Sequence, residues 1–451
     1  MSGDEDLAQA LLAAARRAGA EAADVLVVSA TSNTVGVSGG KLEEAERAEG
    51  QDLGLRVLIG QRQACVSSSD ARAETLAEMA ERAVAMAREA PEDPWCGLAD
   101  PSELGAGDLA AIPDIAGLDL ADPADPPEPA VLEQSALAAE AAALGIGGIT
   151  QVEQASASWS RDRVTLAATN GFAGSYQRTS AGVWVSAIAG DGLGRERDYA
   201  GESRTFRADL PPPAEIGERA GRRAVERLGP RKPPSGRFPV LFDERVAASL
   251  IGHLLGAING SAVARGASWL REAMETRILP AGFDLVEDPL IRRGPASRPF
   301  DGEGFAGRRK LLVADGVLRS WVLDLATARQ LGLKSTGNAR RGVAAPPSPG
   351  TSNIRVTEGA GSRDDLIKAM GTGLLVTSMI GASVNATTGA YSRGASGFWV
   401  EGGEIAYPVN EVTVAGSLPQ MMRTLVPAND ADPHKVRSVP SLLVEGLTVG
   451  A

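Results

Sequence analysis

Apolar residues change their spacing several times along the chain, and each change predicts a new element. Leu7 to Ala18 repeats at helical spacing. Val25-Leu26-Val27-Val28 follows as a strand. Thr34 to Val37, Leu42 to Ala48 and Leu53 to Ile59 read as further strands separated by glycine-containing stretches, the pattern of antiparallel neighbours. Asp70 is placed to cap a helix from Ala71 to about Ala90, whose apolar face carries Leu76, Met79, Ala80, Ala83 and Ala87. These elements predict a first α+β subdomain over residues 1–90.

A second α+β subdomain is expected over 131–230. Val131 to Ala143 is helical in pattern, Gln151 to Trp159, Val164 to Thr169 and Gly182 to Ile188 read as strands, and Asn170-Gly171 is a hairpin turn. Helical spacing returns over Ala214 to Leu228, and a run of glycine and proline from Gly229 to Gly236 ends the segment. The remainder, 231–451, is predicted to be a β-rich domain. It opens with a strand, Arg237 to Leu241, and a helix from Asp243 through Leu255, with Asp243 as its cap. Asp315-Gly316 and Gly402-Gly403 each sit between two strand-like runs, a spacing that predicts hairpins with primed turns. Asp364 to Met370 predicts a helix interrupting the sheet, and Leu442 to Val449 a closing strand. The fold class expected is therefore α+β: an N-terminal region of two subdomains followed by a β-rich C-terminal domain.

Charge divides the chain further. The 451 residues carry a formal net charge of −12, yet there is no Lys or Arg between Arg88 and Arg161. Residues 91–130 are acidic and rich in proline, as in Asp122-Pro123-Ala124-Asp125-Pro126-Pro127-Glu128-Pro129, so they read as a solvated linker between domains. No basic stripe interleaved with aromatic residues appears, which argues against direct nucleic-acid binding. No unbroken apolar run has the length of a membrane span, and Met1 to Glu5 do not open a secretory signal. Cys65 and Cys96 are the only cysteines, so no disulfide framework is possible and a cytoplasmic setting is expected.

Candidate chemistry is sparse. His253 and His434 are the only histidines, which nearly excludes a zinc site built from imidazoles in this chain alone. Gly302-Glu303-Gly304-Phe305-Ala306-Gly307 has the spacing of a dinucleotide fingerprint, but a strand-like run follows it instead of a helix, so it reads as a turn. His434, between Asp432-Pro433 and Lys435, reads as a loop residue.

Three longer peptides carry more information. Gly252-His253-Leu254-Leu255-Gly256-Ala257-Ile258-Asn259-Gly260-Ser261-Ala262, Leu333-Lys334-Ser335-Thr336-Gly337-Asn338-Ala339 and Tyr391-Ser392-Arg393-Gly394-Ala395-Ser396-Gly397-Phe398-Trp399-Val400-Glu401 resemble the TldD/PmbA family, and Tyr407 to Gly416 continues the match. The resemblance is strongest from Arg237 onward and points to the PmbA (TldE) branch, labelled a modulator of DNA gyrase. It implies a TldD/PmbA-like fold and a subunit of a cytoplasmic metalloprotease that cuts unstructured peptides, leader peptides and labile antitoxins among them. In the TldD branch the helix opening the last domain bears His-Glu-x-x-x-His, and a later Cys completes a zinc site. Laid on that motif, Gly252 takes the first His position, His253 the Glu position and Ala257 the second His position, and no cysteine follows Cys96.

The resemblance thus implies a chain without its own zinc or catalytic residues, paired in a heterodimer with a TldD-like zinc-bearing subunit. Asn259, Ser261, Ser392 and Arg393 are the candidate contacts to peptide in a cleft, because they sit in the matching motifs. Glycine-rich segments Gly371 to Thr377 and Gly394 to Val400 are candidates for strand addition by a peptide, if they are not already paired within the core. Two alternatives stay open: a self-sufficient homodimeric peptidase recruiting metal through His253 with Glu244 or Asp243, and a peptide- or protein-binding modulator.

Overall fold

Polar interruptions that read as breaks in the sequence are bridged in the fold by unusually long strands. In the computed structural model, which describes residues 3–104 and 115–451, β1 (Ala22–Ser38) joins Val25–Val28 to Thr34–Val37. β2 (Lys41–Ile59) and β4 (Ile149–Ala168) likewise each absorb two predicted strands. The polar centre of β1, Ser29 to Asn33, pairs with Gln51 to Arg47 on one side and with Arg163 to Trp159 on the other. Backbone groups are thereby satisfied without buried side chains, so no apolar signal marks the continuity. With β3 (Arg62–Ser68), β5 (Ala173–Ala189) and β6 (Glu196–Arg204) these strands form one six-stranded antiparallel sheet, ordered β3-β2-β1-β4-β5-β6. Both N-terminal stretches share this sheet but keep separate cores. Helices α1 (Gly3–Ala18) and α2 (Ala73–Glu89) bury Leu11, Met79 and Ala83 against Val25, Val27, Leu55 and Val57. Helices α3 (Pro129–Leu144) and α4 (Pro213–Glu226) bury Ala139 and Ile216 against Val35, Val37, Val183 and Val185.

The cap expected of Asp70 is displaced. Helix α2 opens at Ala73, and the Asp70 carboxylate instead accepts from the Arg72 backbone N–H at 3.0 Å and the Thr75 hydroxyl at 2.8 Å. Asp243 does cap as expected, accepting from the N–H of Arg245 at 3.2 Å at the start of α5 (Glu244–Ala257), directly after β7 (Gly236–Phe242).

The chain continues through α6 (Gly260–Ala264), β8 (Leu285–Asp288), β9 (Lys310–Ala314), β10 (Val317–Leu318), α7 (Leu325–Gln330), β11 (Ala339–Arg340), β12 (Ser348–Pro349), β13 (Asn353–Val356) and α8 (Arg363–Met370). It ends with β14 (Gly373–Val384), β15 (Ala390–Glu401), β16 (Glu404–Ser417), α9 (Leu418–Arg423), β17 (Val426–Pro427), β18 (Arg437–Ser438) and β19 (Leu442–Gly450). Strands β7, β14, β15, β16 and β19 pair in a closed ring, β16 meeting β19, while β10-β9-β8-β13-β18 form a second sheet. Helix α5 buries Leu250, Ile251 and Leu254 in one core with Phe242, Val376 and Trp399 of the ring. Both predicted primed turns are present: Asp315 and Gly316 have φ of 48° and 76°, Gly402 and Gly403 of 61° and 80°.

Two devices lock the C-terminal domain onto the N-terminal sheet. The Gly302 to Gly307 segment is a turn, as its sequence context predicts, and it presses on the sheet: Phe300 stands edge-on to Phe172 at 5.1 Å and to Tyr176 at 5.4 Å. Gly304, at φ +92°, leaves room for the Phe172 ring, which a Cβ would approach to 2.7 Å. Beside it Asp24 of β1 accepts from Arg56 Nε at 2.8 Å and is paired with Arg341, all three side chains being almost wholly buried.

The described parts of the acidic connector are pinned to the protein at several points, while runs such as residues 100–103 and 123–126 stay exposed as expected. Ala99, Leu118 and Leu120 are buried, Arg329 donates to the carbonyls of Cys96 at 3.1 Å and Leu98 at 2.8 Å, and Asp119 pairs with Arg292 at 2.9 Å and Arg293 at 2.7 Å. Its neutralising cations lie far downstream, which is why local composition suggests solvation. Residues 105–114 of the predicted linker lie outside the described residues.

Asp24→Ala leaves two buried guanidiniums without their carboxylate, so denaturant unfolding is expected to show a loss of about 3–5 kcal/mol, partly recovered by adding Arg341→Met. The interface also has a pH signature. Burial first, then the charges of Asp301 and Asp324, push Glu303 up to about 8, where it accepts from the Leu325 N–H at 2.9 Å. A carboxyl raised in the folded state binds more protons than in the unfolded one, so its contribution is complete below about pH 4.3 and fades as pH rises through 8. Unfolding midpoints followed from pH 5 to 9 are expected to fall with rising pH, and less steeply in Glu303→Gln.

Candidate functional site

Helix α5 carries the three positions that the sequence marks as altered. Ala257 is 5% exposed and packs in the main C-terminal core, its carbonyl accepting from Ser268 Oγ at 2.6 Å. Gly252 is half-buried, and a side chain grown there would begin 2.8 Å from Nη1 of Arg437, which reaches in from β18. His253 is half-buried beside the ring of Tyr391, edge-on at 5.9 Å. Its Nε2 is closed off from solvent and has no hydrogen-bond partner among the described residues.

Electrostatics at this face are cationic. Burial lowers the His253 pKa, and the charges of Arg393 and Arg437 lower it further; no carboxylate acts in the opposite sense. Arg393 on β15 donates from Nε to the Gly381 carbonyl at 2.7 Å, and neither it nor Arg437 has an ion-pair partner among the described residues. Tyr391, 2% exposed, and Ser249 both direct hydroxyls at Met379 Sδ, at 3.7 and 3.8 Å. The Tyr391 phenol is raised by burial, so it stays a neutral donor.

The predicted cleft residues divide into two groups. Arg393 joins His253 and Gly252. Ser392, its neighbour in a regularly paired strand, faces the opposite side of the sheet. Asn259 caps α6, its Oδ1 accepting from the Ser261 N–H at 3.0 Å while Nδ2 donates to the Pro349 carbonyl at 3.0 Å, and half-buried Ser261 opens that helix. Of the segments considered for strand addition, Gly394 to Val400 is paired on both sides by β14 and β16, and Leu374 to Val376 by β7 and β15. The outer half of β14, from Met379 to Val384, pairs only with β15, and Ile380 there is 77% exposed. Arg437, Tyr391 and Met379 were not legible as site residues; only the folding of β18 against α5 brings Arg437 to Gly252.

A larger cleft of about 910 Å³ lies between the β4–β6 face and the loops at 291–295 and 432–436, and is lined by Arg178, Trp184, Arg355 and His434 among others. His434 is thus a loop residue in a cleft wall, its N–H bonded to Asp432 Oδ1 at 2.8 Å. Trp184 stacks on Tyr199 with ring centroids 4.5 Å apart. Cys65 and Cys96 are unbridged, and burial raises both thiols.

A divalent zinc ion requires converging lone pairs, usually from three side chains. At α5 one position lacks a side chain, one is a core alanine, and the remaining imidazole is flanked by two guanidiniums. These residues do not fit the ion. Asp243 and Glu244 do not supply the deficit, since they begin the helix roughly 14 Å along its axis from His253 and are engaged by Arg245, Arg363 and Lys435. Among the described residues no group of three or more His, Cys, Asp or Glu is arranged to hold a metal ion.

The geometry defines a class: an α+β chain with a closed β ring and a helix, α5, whose outer face meets two guanidiniums. Models of the PmbA/TldA metallopeptidase match its domain 1 at residues 23–87, its central domain at 121–228 and its C-terminal domain at 235–451. Metalloprotease PmbA of Escherichia coli O157:H7 is 37% identical over 90% of this chain and 87% of its own length. A Bacteroides thetaiotaomicron crystal structure described as a modulator of DNA gyrase superposes with a TM-score of 0.90 at 27% identity, over 100% of this chain and 99% of that one. TldE from Thermococcus kodakarensis shares the fold, with a TM-score of 0.83 at 18% identity, over 99% of this chain and 100% of that one. The chain belongs to the TldD/PmbA family, in its PmbA (TldE) branch. No helix among the described residues is long and apolar enough to cross a membrane.

The His253 imidazole is expected to titrate below the ordinary value of about 6.5 by NMR, and to move up in Arg437→Gln. Because the folded state then binds fewer protons than the unfolded one, this group's contribution to stability rises with pH up to about 6.5 and is lost below it.

Proposed function

We propose that this chain is the non-catalytic subunit of a two-chain cytoplasmic metalloprotease that acts on unstructured peptides. Its partner is a TldD-like chain that carries the zinc, and the processing of leader peptides or labile antitoxins is the corresponding task. One observation carries the reading: Arg437 and Arg393 bring positive charge to the helix face on which a metalloprotease would gather lone pairs. Two guanidiniums repel a divalent cation, and neither can serve as general base, since Arg stays protonated. The names of the relatives support the peptidase context, and the outer half of β14, open on the side away from β15, supports a role in holding an extended peptide by strand addition.

Purified alone, the chain is expected to cleave no unstructured peptide and to carry substoichiometric zinc. Co-expressed with a TldD-like chain bearing an intact zinc motif, it is expected to co-purify and to yield cleavage that disappears when either chain is omitted. Stoichiometric metal together with cleavage by this chain alone contradicts the proposal, as does full activity of the partner without it.

A further inference from the structure

Two guanidiniums without carboxylate partners converge on one imidazole at the surface of the C-terminal domain. Arg437 is exposed and has no hydrogen-bond or ion-pair partner among the described residues, and its Nη1 lies against the bare backbone of Gly252. Arg393 is held by a single bond to the Gly381 carbonyl, which leaves its terminal nitrogens uncommitted. His253, between them, is acted on by both charges and by no carboxylate, and its Nε2 lacks a partner. The bare backbone of Gly252 lets the guanidinium rest there, since a Cβ would begin 2.8 Å from Arg437 Nη1. Positive charges acting on one spot without a counter-ion are unfavourable, and a surface that keeps them is suited to an anion supplied from outside.

From this arrangement we propose that Arg393 and Arg437 form a recognition site for a peptide carboxylate, seated over α5 at Gly252 and His253. The choice of a carboxylate among anions rests on the peptide-handling role proposed above. A planar guanidinium matches a carboxylate with two parallel N–H···O bonds, and two of them grip both oxygens. The neutral imidazole beneath adds no repulsion to the two guanidiniums, and Arg340 adds further positive charge next to Arg437. The outer half of β14, whose Gly381 anchors Arg393, pairs on one side with β15 and is open on the other, so a bound carboxylate lies next to a strand edge. The carboxylate has two sources in a peptide: its C-terminus or an acidic side chain.

The test uses the full chain alone, so its outcome does not depend on cleavage or on a partner. Three fluorescent pentapeptides of one apolar sequence are compared by anisotropy: the free acid, the C-terminal amide, and the amide with Glu at its last position. The free acid or the Glu peptide, or both, is expected to bind about tenfold or more tightly than the plain amide, with the preference weakening as salt rises. Tight binding by the free acid alone assigns the site to C-termini, and by the Glu peptide alone to acidic side chains. Arg437→Gln and Arg393→Gln, both solvent-accessible changes, are each expected to abolish the preference. With only two histidines in the chain, the His253 ring signals can be assigned with His434→Gln, and the tight-binding peptide is expected to shift them while those of His434 stay in place. Equal binding of all three peptides, or a preference that survives both arginine variants, overturns the proposal. Failure of cleavage with a TldD-like chain would overturn the subunit reading and leave this result standing.

Discussion

A buried carboxylate shared by two arginines joins the two halves of this molecule. Asp24 sits in the middle of the N-terminal sheet and is shared by Arg56 from the adjacent strand and Arg341 from the C-terminal domain, all almost fully removed from water. A buried ion pair adds little net stability over apolar packing, but it is intolerant of misplacement, because a displaced partner leaves an uncompensated charge in a poor solvent. That intolerance fixes how the domains meet. The Gly302 to Gly307 turn and the Phe172–Phe300 contact then pack around a joint whose position is already set.

Once the joint is fixed, the fold sorts its charges by function. Carboxylates at the interface are given donors: Asp301 accepts from Glu303, Phe305 and Ala339 backbone N–H groups, and Asp119 takes two arginines. The acidic connector is held down by the same means, with Arg329 gripping carbonyls of residues 96 and 98. The arginines at α5 form the exception to this rule. Arg393 and Arg437 face no acid, although Asp243, Glu244 and Asp432 are all on neighbouring segments and are engaged elsewhere. What marks this face is that both unpaired guanidiniums act on the same imidazole, His253.

Much of the fold was legible in local sequence because local chemistry decided it. Asp315-Gly316 and Gly402-Gly403 demanded positive φ, Asp243 supplied a cap, and the Gly302 segment lacked the helix that a phosphate-binding loop needs. What could not be read was decided by partners distant in the chain. The polar centres of β1, β2 and β4 looked like breaks because their continuity comes from backbone ladders. Asp70 looked like a cap because its competing bonds to Arg72 and Thr75 leave no periodic trace. Part of the site was legible through its motifs, which brought out Gly252, His253 and Arg393. Arg437 was not, since a lone arginine in a polar run carries no pattern until β18 is laid beside α5.

The helix at this site also shows that its place in the fold need not depend on a bound ion. A metal stabilises small domains that cannot bury enough apolar surface, and the stability then depends on the ion. Here α5 is fixed independently: Leu250, Ile251, Leu254 and Ile258 are fully buried in the core of the C-terminal domain, and Asp243 caps its start while pairing with Arg363. The outward face is therefore free of any structural duty. Ala257 packs into the core and Gly252 leaves space for the Arg437 guanidinium without loosening the helix, so a position with no side chain of its own becomes, in three dimensions, the seat of a positive charge from β18.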